Sequence, residues 1–192
     1  MDTNEKRKVI IVTDGDSCAQ RSIEKAVLNI GGRCISQSGG NPTPLTGAEI
    51  VDLIKIAKYD PVVVMTDDEG NVNTGIGERA LKQIMNHPDI EVLGVIAVAS
   101  NTKEVEGVHV DFSIDADGNM INKAVDKDGN PGFNKVLYGD TVDVLENAGN
   151  RPLIIGIGDV GKMNGKDDFR RGAPIITKAL KEILNRKGNR LN

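Results

Sequence analysis

Tryptophan is absent from this chain of 192 residues, and only two tyrosines and three phenylalanines are present. A core must therefore be built from Val, Ile, Leu and Ala, and the aromatic platforms on which single-stranded nucleic acid stacks are excluded. Cysteine is scarce as well: Cys18 and Cys34 are too few for a disulfide scaffold, and their spacing fits no zinc ribbon. Both read as reduced, small core thiols. Cys18 stands near an expected helix N-terminus, which lowers a thiol pKa, but no motif links it to His87 or His109, so a nucleophile is the less favoured reading. Long apolar runs are missing: Val92 to Ala99 is the longest, far short of the roughly 20 residues that span a bilayer. The start of the chain, with Asp2, Glu5, Lys6, Arg7 and Lys8, lacks the apolar stretch of a signal peptide, so a soluble cytosolic protein is expected. Neither sign of charge dominates. Twenty-four Lys+Arg against 28 Asp+Glu leave a net charge of -4, and a pI near 5.3 argues against a nucleic-acid partner.

What is present is alternation. Apolar runs of four to eight residues alternate with helical periodicity through the first half, the pattern of consecutive βαβ units. The expected fold is α/β, one domain over residues 1–192, with a central, mainly parallel sheet. Val9 to Val12 is the first strand; Ala19, Ile23, Ala26, Val27 and Ile30 then mark a helix that Gly31-Gly32 stops, with Ser17 and Gln20 as a capping box. A short strand at Arg33 to Ser36 precedes a Gly/Pro loop, and Thr46 with Glu49 caps a second helix carrying Ile50, Leu53, Ile54 and Ala57. Val62 to Met65 is wholly apolar and reads as a central strand. A helix from Gly77 to His87 and a strand from Val92 to Ala99 follow, then a strand from Leu153 to Ile157 and a closing helix that starts at Pro174.

From Val108 the period changes to two, which predicts an antiparallel hairpin excursion around 108–130. Within it, Asp115 to Asn119 and Asp126 to Asn130 share the pattern Asp-x-Asp-Gly-Asn. A calcium loop wants its glycine sixth and an acid twelfth, whereas Gly118 and Gly129 come fourth, so tight turns are favoured.

Ligands of such sheets bind beyond the carboxyl ends of the strands, and acids gather there. The first strand runs into Thr13-Asp14-Gly15-Asp16, the third into Asp67-Asp68-Glu69-Gly70, and the last into Gly158-Asp159. Asp14, Asp67 and Glu69 are the candidate ligands of Mg²⁺ or Ca²⁺, hard cations that take oxygen donors. Asp16, Asp68, Gly158, Asp159 and Lys162 are the candidate ligand-binding residues around them. The competing reading is that these acids serve the helix N-termini that follow. Gly156 to Gly161 matches a dinucleotide fingerprint, but no helix opens directly after it. The loop beyond carries Lys162, Lys166, Arg170 and Arg171, which either hold an anion or form a solvated charged surface.

Two enzyme families share pieces of this pattern. Asp14-Gly15-Asp16, Ser100 and Gly158-Asp159 resemble the spaced motifs of haloacid-dehalogenase phosphatases, although Ser17-Cys18 replaces the residues expected after the second Asp. Val9 to Asp16 with Asp67-Asp68-Glu69 is similar to the TOPRIM metal site, with Asp14 in place of a Glu and Glu69 at the second acidic position. Either resemblance implies a Mg-dependent hydrolase, with the metal geometry altered by acids of changed length.

A third resemblance covers nearly the whole chain. Lys8 to Asp16, Gly31 to Ser36, Gly39 to Thr43, Tyr59 to Met65, Glu91 to Ser100 and Gly156 to Met163, with Asp167-Asp168 and Arg170 to Gly172, resemble the soluble stage V sporulation protein AE family of spore-forming Firmicutes. That resemblance implies a sporulation protein, a peripheral component of the system that moves calcium and dipicolinic acid across the spore inner membrane during spore formation and germination. Its implied partners are membrane-embedded stage V sporulation proteins, with calcium-dipicolinate as a candidate ligand. It implies no catalytic residues, and a binding or assembly module is the first reading.

Overall fold

Continuously apolar strands need cover on both faces, and helices on both sides supply it. A computed structural model of the chain describes residues 5–69, 75–101, 107–139, 141–142, 145 and 151–186, with backbone alone at 187–188. Strand β1 (Arg7–Val12) leads to helix α1 (Ser17–Ile30), strand β2 (Arg33–Cys34), helix α2 (Gly47–Ile56), strand β3 (Val62–Met65), helix α3 (Ile76–Met85) and strand β4 (Ile90–Val98). Strands β5 (Val108–His109), β6 (Phe112–Ile114), β7 (Met120–Ile121), β8 (Val136–Leu137) and β9 (Ile154–Ile157) follow, and helix α4 (Pro174–Gly188) closes the described chain.

Seven strands form one sheet in the order β2-β3-β1-β4-β9-β6-β7, parallel throughout except between β6 and β7. The expected α/β fold with its mainly parallel sheet is the one observed. The hairpin excursion does not stand apart: β6 adds to β9 in parallel and carries β7 with it, while β5 pairs with β8 in a separate antiparallel ribbon. Both Asp-Gly-Asn segments are turns of identical construction. Asp115 Oδ1 accepts from the N–H groups of Asp117 and Asn119, and Asp126 Oδ1 accepts from those of Asp128 and Asn130.

The two faces of the sheet build separate cores. Ile10, Val12, Val63, Met65, Ile96, Val98, Ile155 and Ile157 pack beneath α1 and α4. Val9, Ile11, Val62, Val64, Val95 and Ala97 pack against α2, α3 and the β5/β8 ribbon. Because α1 follows β1 on one face and α3 follows β3 on the other, the chain diverges at the carboxyl ends of these adjacent strands, the place where parallel sheets open a crevice.

Local chemistry shifts some boundaries. The cap of α1 is Asp16 rather than Ser17: its Oδ1 accepts from Cys18 N at 2.8 Å and Ala19 N at 2.9 Å, leaving Gln20 to reach Glu24. Strand β2 stops at Cys34 because residues Ser36–Ser38 turn into a 3₁₀ helix. The Thr46–Glu49 capping box of α2 is present in full.

Candidate functional site

Strand parity decides which residues meet at the carboxyl edge. Val12 pairs with Met65, and Val98 with Ile157, so the residues two further along, Asp14, Asp67, Ser100 and Asp159, leave the strands on the α1/α4 side. All four line a cavity of about 170 Å³, together with Thr13, Asp16, Asn41 and Lys162. At roughly 30 Å³ per water, that is room for about five or six waters or a hydrated cation.

Each wall is held from behind. Thr13 Oγ1 accepts from Val98 N at 3.0 Å and ties the end of β1 to that of β4. Thr43 Oγ1 accepts from Asp67 N at 2.7 Å and donates to Asp67 O at 3.1 Å, pinning the backbone where β3 ends. The buried Asp67 carboxylate accepts from Gly15 N at 3.2 Å and Glu69 N at 3.0 Å. Gly15 must be glycine, because a Cβ there would stand 2.6 Å from Gly40 O.

The charges are uneven. Burial pushes the Asp14 carboxyl well above its ordinary range, and repulsion from Asp16, Asp67 and Asp159 adds to it. Burial raises Asp159 too, against the pull of Lys162. At Asp16 burial works the same way, but the Lys162 ammonium and the α1 N–H donors outweigh it and hold the carboxyl below its ordinary value. Lys162 bridges the two, with Nζ 2.7 Å from Asp16 Oδ2 and 3.0 Å from Asp159 Oδ1. Burial disfavours its charge, yet these two carboxylates raise its pKa.

Of the candidate metal ligands, the structure brings Asp14 and Asp67 together and leaves Glu69 exposed outside the cavity lining, where the chain has already turned to a φ of 55°. Among the described residues no three His, Cys, Asp or Glu side chains form a ready metal cage. Asp68 points to the other face, where its carboxylate accepts from Gly77 N at 2.7 Å and Glu78 N at 2.9 Å at the start of α3 and from Thr141 Oγ1. Gly158 serves packing: a Cβ would meet Gly129 N, Met163 Sδ and Lys127 O within 2.8 Å. The basic loop is already paired, Lys166 with Asp117 of the turn between β6 and β7 and Arg170 with Asp168. Gly70 lies outside the described residues.

Cys18 shows no lowering of its thiol pKa by the N-terminus of α1, in keeping with the expected core thiol rather than a nucleophile. Burial first, then the neighbouring Asp16, raises its thiol pKa rather than lowering it, and Sγ donates to Gly161 O at 3.5 Å. Sequence reasoning missed Asn41, whose Gly-Gly-Asn-Pro loop arches to the cavity, and Asp167, the fully buried carboxylate that braces Gly161 and α4. The two glycines preceding Asn41 were a readable signal of a close backbone approach; Asp167, eight residues ahead of Ile175, offered none.

Residues 8–187 match the family model of stage V sporulation protein AE1. The chain belongs to that family. It is thus a sporulation protein, and the match spans every strand end and loop that builds the cavity. No curated protein and no solved structure matches it. Among the described residues, no helix of this AE1 family member is long and apolar enough to cross a membrane.

Proposed function

We propose that this sporulation protein is a peripheral, non-catalytic component of the system that moves calcium and dipicolinic acid across the spore inner membrane. In this reading it docks to membrane-embedded stage V sporulation proteins and presents its carboxyl-edge cavity to a divalent cation or its dipicolinate chelate. The observation that carries the reading is the composition of that cavity: four aspartates and one lysine, with no histidine or thiol among its lining residues. Oxygen donors of this kind suit a hard cation, and Lys162 offers a positive charge to the carboxylates of a chelating anion. Docking to protein rather than lipid fits the net charge of -4, which an anionic bilayer repels. The basic groups near the chain ends are partly spent as well, Lys8 on Glu5, Arg7 on Asp60 and Arg186 over the Phe112 ring.

Sedimentation with liposomes tests the docking. The purified protein is expected to stay in the supernatant with anionic vesicles at physiological salt and to pellet when the cognate membrane subunit is embedded; quantitative pelleting without that subunit refutes the reading. A second reading, a Mg-dependent hydrolase, draws on Asp14 and Asp67 standing at the ends of neighbouring strands, as the TOPRIM resemblance implies. Turnover of phosphomonoesters or phosphodiesters in Mg²⁺ that disappears in Asp14→Asn would establish it.

A further inference from the structure

The segment that carries Lys162 is held in place by side chains more than by its backbone. Gly161 (φ 76°), Met163 (φ 45°), Asn164 (φ 55°) and Gly165 (φ 79°) are all left-handed, and two of them carry side chains that disfavour this region. The backbone bonds donated by residues 159–166 are four: Asp159 N to Lys127 O at 2.7 Å, Lys162 N to Asp159 O at 3.2 Å, Gly165 N to Lys162 O at 2.8 Å and Lys166 N to Met163 O at 3.1 Å, and of these only the first leaves the segment. Side chains supply further contacts: Lys162 to Asp16 and Asp159, Lys166 to Asp117, Asp167 Oδ2 accepting from Gly161 N, and the buried Met163 against Gly129 and Gly158. Of these, the ion pairs of Lys162 and Lys166 are open to solvent, and only those of Lys162 close on the cavity; the Lys162, Asp16 and Asp159 side chains are 44%, 29% and 28% exposed.

We propose that residues 159–166 form a strap over the acidic cavity, latched by Lys162 across Asp16 and Asp159, and that ions competing for those two carboxylates release it. The latch joins the β9 end to the first turn of α1, so its release frees the one segment of the cavity wall whose backbone is strained. Electrostatic pairs exposed to this degree weaken as salt rises, whereas the Met163 and Asp167 anchors do not. The strap is therefore sensitive to the ionic medium while remaining attached at its far end. The latch works alike whichever ligand the cavity takes, and its test uses none.

Cys18 is a built-in reporter, because it is half-buried with its Sγ against Gly161 O of the strap, while Cys34, half-buried beside β3 and α1, serves as an internal control. The experiment measures maleimide labelling of both thiols at fixed pH by peptide mass spectrometry, in wild type, Lys162→Met and Lys162→Arg, across a NaCl series. Lys162→Met is expected to accelerate Cys18 labelling roughly two- to tenfold at low salt, the release of two exposed ion pairs. Removing Lys162 also takes away a charge that favours the Cys18 thiolate, which by itself slows labelling, so acceleration reports opening and not thiol chemistry. Wild type is expected to speed up with NaCl more than Lys162→Met does, Lys162→Arg to behave as wild type, and Cys34 to stay constant. Equal Cys18 rates in wild type and Lys162→Met, or identical salt responses of the two, would overturn the latch. Parallel acceleration of Cys18 and Cys34 would do the same, since it signals global loosening.

Discussion

Asp167 offers the sharpest test of how the cavity wall is held. Its side chain is fully buried, and burial lifts its pKa from 3.8 to about 6 even though Ile175, Ile176 and Gly161 all donate backbone N–H groups to it. A raised folded-state pKa contributes stability that is complete below the unfolded value and is lost as pH rises through the folded one. A carboxyl raised this far carries about 3 kcal/mol of such stability, most of which is lost between about pH 4 and 7. The perturbation is Asp167→Asn, which cannot ionise. Asparagine keeps an oxygen for Ile175 and Ile176 but turns its amide toward Gly161 N–H, a donor facing a donor, at a cost of roughly 1–3 kcal/mol. At pH 4.5 wild type is thus the more stable protein. By pH 7.5 its advantage shrinks by about 2 kcal/mol, and the variant draws level or overtakes. Urea unfolding of both proteins across this range reads the difference directly, and every other titrating group cancels in it. For a chain of this size the swing corresponds to about 4–8 °C in relative melting temperature. Parallel stability profiles of the two proteins would refute the argument, since they would mean that Asp167 titrates alike in the folded and unfolded chain.

Three further substitutions probe neighbouring features. Asp14→Asn removes a carboxyl whose pKa burial and three aspartates raise, so without divalent cations it is expected to stabilise the protein above the ordinary carboxylate range and to change little at pH 3. If Ca²⁺ or Mg²⁺ raises the wild-type melting temperature by mass action, the same variant lowers that gain; an unchanged wild type across a millimolar titration would count against the cation reading. Gly15→Ala drives a Cβ to 2.6 Å from Gly40 O, and the backbone shift it forces is expected to cost roughly 1–3 kcal/mol in urea unfolding. Thr66→Val replaces a buried hydroxyl that has no partner among the described residues, and calorimetry should find the variant level with wild type or up to about 1 kcal/mol more stable.

Strands β1, β3, β4 and β9 were legible because each centres on a continuous apolar run, and the helices because their apolar residues repeat at helical spacing; the two-residue strands β7 and β8 carry no such run and were not read. The weakest readings fell where one residue decides the geometry. Asp16 and Ser17 are both good caps, and only the extended backbone at Asp16 (φ -63°, ψ 166°) chooses between them. The excursion after Val108 alternates as a hairpin does, but nothing in its own residues says that Phe112 will align with Ile155 and extend the main sheet. That pairing spans more than 40 positions of sequence and is dictated by β9, not by the hairpin.

The acids at the strand ends show the same limit more sharply. Asp67 and Asp68 are adjacent and chemically identical, yet one lines the cavity and the other braces α3. In a half-buried strand, alternation would announce which face is which; here β3 is Val-Val-Val-Met, buried on both sides, and carries no such mark. The information lies in the helices instead. Once α1 is known to cover Ile10, Val12, Val63 and Met65, counting two residues on gives Asp14 and Asp67, and the same count from Ile157 gives Asp159. Glu69 obeys the same count and still misses the cavity, because the strand ends at Met65 and the left-handed turn at Glu69 carries its side chain into solvent. Parity therefore selects candidates only as far as the extended backbone runs. Beyond that point the local turn decides: Asp16, held as the cap of α1, still lines the cavity beside Asp14, Asp67 and Asp159, whereas Glu69, in its left-handed turn, does not.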